Sequence, residues 1–105
     1  MANLNYIGGI AKILEIPSSI QLSSNDLSLY FVRFRAQFSD RQETYYHPTI
    51  TLIIWGDLAY KIFGSYKVND YVLIEGQLRI QPLKFEHYFE KQVQINVTKI
   101  FHFSF

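Results

Sequence analysis

Trp55 is the chain's one tryptophan, and Arg33 and Arg35 are two arginines at alternate positions. Flat rings and guanidinium groups together make one kind of site. The rings offer stacking surfaces to planar groups, and the arginines offer bidentate donors to phosphates. Two further sets have the same make-up. One is Arg79, Lys84, Phe85, His87 and Tyr88, and the other is Arg41, Tyr45 and Tyr46. Stacking on a ring ignores base identity, since every base has a π face. Contacts to phosphate add affinity that falls with salt. Such residues on one exposed face would hold a single-stranded nucleic acid without reading its sequence. Each also has a plain structural reading: a tryptophan in a small β domain serves a core or an interface, paired arginines form a solvated strand face, and loop tyrosines are common.

Catalytic chemistry finds no such grouping. The chain has no cysteine, which excludes thiolate catalysis, disulfides, zinc–thiolate sites and iron–sulfur clusters. His47, His87 and His102 are far apart and lack a metal-ligand spacing. There is no Gly-x-Ser-x-Gly and no phosphate-binding Gly-x-x-x-x-Gly-Lys-Ser/Thr. Glu86 and Glu90 read as surface charge. The expectation is a protein that is not an enzyme and carries neither cofactor nor metal.

The elements that position these residues follow from period-two patterning. In 105 residues with 49 % apolar content there is room for one core, so residues 1–105 read as one domain. Asn5 to Ile16 reads as a first strand, with Gly8-Gly9 marking a bulge or bend. Pro17-Ser18-Ser19 ends it, and Ser23-Ser24-Asn25-Asp26 continues a polar loop. Leu29 to Phe38 alternates: Tyr30, Val32, Phe34, Ala36 and Phe38 share one face, and Leu29, Phe31, Arg33, Arg35 and Gln37 the other. Pro48 opens a third strand ending at Trp55. There Ile50, Leu52 and Ile54 form the aliphatic core face, which turns Trp55 outward with Thr49, Thr51 and Ile53. Asp57 is placed to cap a short helix whose stripe is Leu58, Ala59, Ile62, Phe63 and Tyr66, with Gly64 ending it. Asn69-Asp70 turns into a fourth strand, Tyr71 to Ile80, bent at Gly76. A loop from Gln81 to Tyr88 leads to a fifth strand, Phe89 to Phe101, with Val93, Ile95 and Val97 inward. The pattern gives an all-β chain with one short helix between strands three and four, a small curved barrel.

The stretch Thr51-Leu-Ile-Ile-Trp-Gly-Asp-Leu-Ala59, followed by Tyr66-Lys-Val-Asn-Asp-Tyr-Val-Leu-Ile-Glu-Gly-Gln-Leu-Arg79, resembles the bacterial-type single-stranded DNA-binding protein (SSB) family. Asn5-Tyr-Ile-Gly-Gly-Ile10 ahead of Pro17 is similar to the family's opening. The likeness is closest to short plastid and cyanobacterial members. It implies an OB-fold, a five-stranded Greek-key barrel with a helix between strands 3 and 4. It also implies sequence-independent single-stranded DNA binding in replication or repair, as a dimer or tetramer. The resemblance carries over Trp55 as a site residue, beside which the ring-and-cation reading sets Arg33, Arg35, Arg79, Lys84, Phe85, Tyr88 and Tyr46. Two family stacking positions are departures, because Thr49 and Leu83 stand where aromatics are common. Phe85 or Tyr88, and Tyr45 or Tyr46, are the candidate replacements. The sequence stops at Phe105 without the family's glycine-rich tail and acidic tip, so partner recruitment through such a tip is not expected.

Two other readings share these residues. One is a primosomal accessory protein of the PriB type, bridging replication-restart proteins. The other is an OB-fold interaction subunit that has lost strand binding. The absent acidic tail and the near-neutral net charge of +1 favour the first, and the aromatics missing at Thr49 and Leu83 favour the second. Backbone and stacking contacts do not separate DNA from RNA, so RNA stays open as a ligand. Neither a signal peptide nor an apolar run long enough to span a bilayer is visible, and Asn96-Val97-Thr98, a glycosylation sequon, falls inside a strand. The expected location is the cytoplasm or the plastid stroma, with no membrane partner and no export.

Overall fold

The computed structural model describes residues 5–22, 24–38, 49–85 and 88–104, and all their side chains except those of 27, 81–85 and 88–92. The elements are β1 (Tyr6–Ile13), β2 (Ser18–Gln21), a 3-10 turn (Leu27–Leu29), β3 (Tyr30–Phe38), β4 (Thr49–Trp55), α1 (Gly56–Ile62), β5 (Tyr71–Phe85) and β6 (Tyr88–His102). The sheet order is β1-β5-β6-β4-β3-β2, and β1 also pairs with β3. That last pairing closes β1, β3, β4, β6 and β5 into a five-stranded barrel, with β2 added on the outside of β3. All pairings are antiparallel except β4 with β6, which is parallel.

The core is built from alternate residues of every barrel strand. Val32, Phe34 and Ala36 of β3, Leu52 and Ile54 of β4, Val72 and Ile74 of β5, Ile95 of β6 and Ala11 and Ile13 of β1 are fully buried. Burying each large aliphatic or aromatic side chain contributes about 1.5–3 kcal/mol. The expected core faces of β3 and β4 are therefore the observed ones. β3 is shared lengthwise. Residues 30–33 pair with β2, and 36–38 pair with β1. Between them Glu15 accepts a hydrogen bond from the Arg35 backbone N–H (2.9 Å) and Leu14 N–H donates to the Arg35 carbonyl (3.0 Å), so neither group is left unpaired where one strand hands over to the next.

Several sequence expectations are corrected. β2 forms where the sequence predicts a loop, because the open edge of β3 offers it a ladder. β1 runs through Gly8-Gly9 with no register shift, so the pair marks no bulge. The irregularity in β5 and β6 lies at Glu75/Gly76, at the expected bend. Here β6 approaches so closely that a Cβ on Gly76 would meet the Asn96 carbonyl oxygen and lie 2.9 Å from Val97 Cα. Asp57 is not the N-cap. Gly56, with φ of 68°, turns the chain so tightly that the helix begins at once and Trp55 becomes its cap residue, without a side-chain cap. Asp57 instead pairs with Lys61 at 3.1 Å, an exposed contact of little energetic weight. Of the helix stripe, Ala59 is buried and Phe63 is exposed. Tyr66, beyond the helix, is buried against the His102 ring, with centroids 4.4 Å apart. β5 and β6 extend past the expected ends to the pair Phe85↔Tyr88, so residues 81–85 form a strand and not a loop. Val93, expected inward, is 38 % exposed opposite Ile80, because both lie on the arm beyond the core.

Candidate nucleic-acid interface

Register carries the outward residues of β3 and β4 into rows across the sheet. The first row is Ile20 of β2, Phe31 of β3 and Trp55 of β4. The second is Ser18, Arg33, Ile53, Asn96 and Gln77, and the third is Arg35, Thr51, Gln94 and Arg79. A fourth pairs Gln37 with Thr49. Thus an apolar, aromatic row lies at one end of β4, polar residues lie at the other, and the arginines lie between.

Trp55 is 42 % exposed at the end of β4. The Phe31 ring packs on it with centroids 4.6 Å apart and planes tilted by 40°. Arg33 and Arg35 are both exposed, and residues two apart on a strand lie roughly 6.5–7 Å from each other. Arg79, also exposed, shares a row with Arg35 across three inter-strand steps, roughly 14 Å. Arg35 Nη2 donates to Thr49 Oγ1 at 2.7 Å, which lays its guanidinium across the β3–β4 seam. Thr51 is buried beneath this face.

The local field follows from where the described carboxylates sit. Glu75, on β5 two residues before Gln77, accepts from the Tyr6 hydroxyl (2.8 Å) and pairs with Lys99 (3.7 Å). That hydrogen bond raises the Tyr6 pKa above its usual value. Asp26, held by the Ser28 hydroxyl at 2.6 Å and its backbone N–H at 3.0 Å, has its pKa lowered by those bonds. Asp70 accepts from the Lys67 backbone N–H at the turn beside β1. Glu15 is the carboxylate nearest this face, held on the Arg35 backbone N–H at 2.9 Å, and among the described residues none of the three arginines, Arg33, Arg35 and Arg79, is ion-paired.

Of the eight site residues named from the sequence, Trp55, Arg33 and Arg35 lie on the outward face of the paired strands β3 and β4, and Arg79 lies in the Arg35 row on β5, three strands round the barrel. Lys84, Phe85 and Tyr88 lie on the β5–β6 arm, at the backbone pairs Lys84↔Phe89 and Phe85↔Tyr88, and their side chains lie outside the described residues. Tyr46 lies outside the described residues altogether, as do Arg41, Tyr45 and His87. In the sequence Phe31 stands out only as a member of the mixed face of its strand. The signal that would have singled it out is the run Phe31-x-Arg33-x-Arg35, a ring in phase with two cations. Among the described residues no group of three or more His, Asp or Glu is placed to hold a metal.

A closed five-stranded barrel with one helix between its third and fourth strands defines an OB-fold. The chain has the fold of several small single-stranded DNA-binding proteins. That of Streptomyces coelicolor superposes with a TM-score of 0.77 at 22 % identity, covering 92 % of each chain. The SSB domain of a Synechococcus sp. protein gives 0.72 at 22 % identity, covering 97 % of this chain and 99 % of that one. The Plasmodium falciparum SSB, solved in complex with ssDNA, gives 0.76 at 14 % identity over 99 % and 98 %. In sequence, the chain is 27 % identical over 109 residues to a protein of Trieres chinensis named "Putative single-stranded DNA-binding protein ycf41", spanning 95 % of this chain and 89 % of that one. No family model matches. The likeness quoted from Thr51 to Arg79 is therefore matched by a relative along nearly the whole chain, and the OB-fold it implies is the fold observed.

Proposed function

We propose that this protein binds single-stranded DNA without base specificity, in DNA replication or repair. Bases stack on Trp55, and Arg33, Arg35 and Arg79 meet phosphates. Lys84, Phe85, Tyr88 and Tyr46 extend the same site from the arm and from the segment between β3 and β4. The observation that carries this reading is one exposed indole on the outward face of β3 and β4 beside two exposed arginines, Arg33 and Arg35, neither of them ion-paired among the described residues. The names of the Trieres relative and of the structural neighbours support it, since they describe DNA-binding proteins and not enzymes. The test is titration with a dT oligonucleotide at low and high salt, following Trp55 emission and the anisotropy of a labelled strand. Saturable quenching that weakens with salt is expected, and Trp55→Ala should lose ~1–3 kcal/mol of binding. Absence of both signals would refute the function. Anisotropy without quenching would move the stacking site away from Trp55.

The protein is further read as a homo-oligomer. Residues 6–10 of β1 pair with β5 on one side only, and half-buried Ile10 with exposed Leu73 and Phe101 form an apolar row on that half of the barrel. A second copy pairing along β1 would cover both. Sedimentation should show a dimer or tetramer, reduced in mass by Phe101→Lys. No helix among the described residues is long and apolar enough to cross a membrane. The proposed location is the cytoplasm or, given the Trieres relative, the plastid stroma.

A further inference from the structure

We infer that Phe31 is a binding-site residue that holds the Trp55 indole for base stacking, so that the two rings work as one platform at the β2–β3–β4 corner. This rests on the single-strand binding proposed above. An exposed indole at a strand end has several rotamers to lose when a base stacks on it. The Phe31 ring, half-buried and 4.6 Å away, fills one side of Trp55 and leaves the indole's remaining surface set in place. Phe31 can do this because it sits directly opposite Trp55 in the β3–β4 ladder, on the outward face of both strands.

The grading of the outer face points to the same corner. At the other end of β4, Thr49 stands opposite Gln37 and is bonded to Arg35, so that end offers a hydroxyl and an amide and no flat apolar surface among the described residues. At the Trp55 end, Ile20, Phe31 and Trp55 run across two inter-strand steps, about 10 Å. That length matches about three bases stacked at their 3.4 Å spacing. Arg33, two positions from Phe31 on the same face, is exposed and free of any ion pair among the described residues, so a phosphate beside the stacked bases has a cation within reach.

The test compares wild type with Phe31→Ala, Phe31→Leu, Phe31→Tyr, Trp55→Ala and the F31A/W55A double variant in the same dT titration. Leucine keeps an apolar side chain against the indole but removes the ring, so F31L should melt close to wild type and serves if F31A fails to fold. Expected for F31L and F31A is binding ~10-fold weaker, within the loss seen for one stacking ring, with reduced Trp55 quenching at saturation. F31Y should recover both. The double variant should bind no more weakly than W55A alone, because the rings act as a unit. Wild-type affinity and full quenching in F31L would overturn the inference, as would losses that add in full in the double variant. Absence of binding by the wild type would instead be failure of the proposed function, and would take this inference with it.

Discussion

If Arg33, Arg35 and Arg79 each meet a phosphate, salt dependence should count them. Each neutralised phosphate on a single strand contributes about −0.7 to the slope of log affinity against log salt. The three arginines then set a slope of about −2.1, so affinity should fall roughly 18-fold between about 50 and 200 mM salt. Replacing Arg33 with glutamine keeps a long polar side chain and removes the charge. The slope should relax to about −1.4, and the loss over the same range should shrink to roughly sevenfold. Arg33 is the cleanest choice, since Arg35 also bonds Thr49 and its loss would disturb the β3–β4 seam. The assay is anisotropy of a labelled dT strand across several salt concentrations, for wild type and R33Q. A wild-type slope shallower than about −1, or one that R33Q leaves unchanged, would refute the assignment of this face to phosphate. A slope near −2.8 would instead require a fourth cation, for which Lys84 on the arm is the first candidate.

Two further outcomes concern the scaffold. Gly76→Ala would place a Cβ against the Asn96 carbonyl and 2.9 Å from Val97 Cα, both backbone of β6, so the bulge itself must move. We expect a loss of about 3 kcal/mol or more, read as a fall of at least about 12 °C in Tm, and a loss under about 1 kcal/mol would contradict the geometry. Burial raises the pKa of the Tyr66 hydroxyl above its ordinary value of 10.0. The unfolded chain therefore ionises this group first, so its contribution is fully present below that value and is lost as pH rises toward the folded pKa. Tyr66→Phe keeps the ring against His102 and should flatten the alkaline decline in denaturant midpoint; an unchanged decline would locate the effect elsewhere.

What was legible in the sequence follows from where burial is one-sided. β3 and β4 bury one face and expose the other, so Val32-x-Phe34-x-Ala36 and Ile50-x-Leu52-x-Ile54 declare both strands and turn Trp55 and Arg33 outward. β2 was not legible, because all four of its residues are exposed and it therefore has no alternation to read. The arm failed for a related reason. Ile80 and Val93 are exposed where the core ends, so alternation there does not report burial, and Pro82 reads as a breaker although it lies in the ladder opposite Lys91.

The site divides the same way, along strand and across strands. Parity along each strand fixes which residues face outward but not which of them meet. With both core faces fixed, β3 and β4 can slide only by an even number of residues, since a one-residue slip would turn one core face to water. Phe31 could then stand opposite Trp55, Ile53 or Thr51 with the same sequence evidence. The choice among them lies in how the chain passes from Phe38 to Thr49, a segment with no periodic pattern to read. The Phe31–Trp55 pair is thus knowable only from the fold, while each of its members was already assigned to the outer face. The proposed platform tests that register directly: if the strands were slid by two residues, Phe31 would lie against Ile53, and its removal would leave Trp55 emission and quenching unmoved.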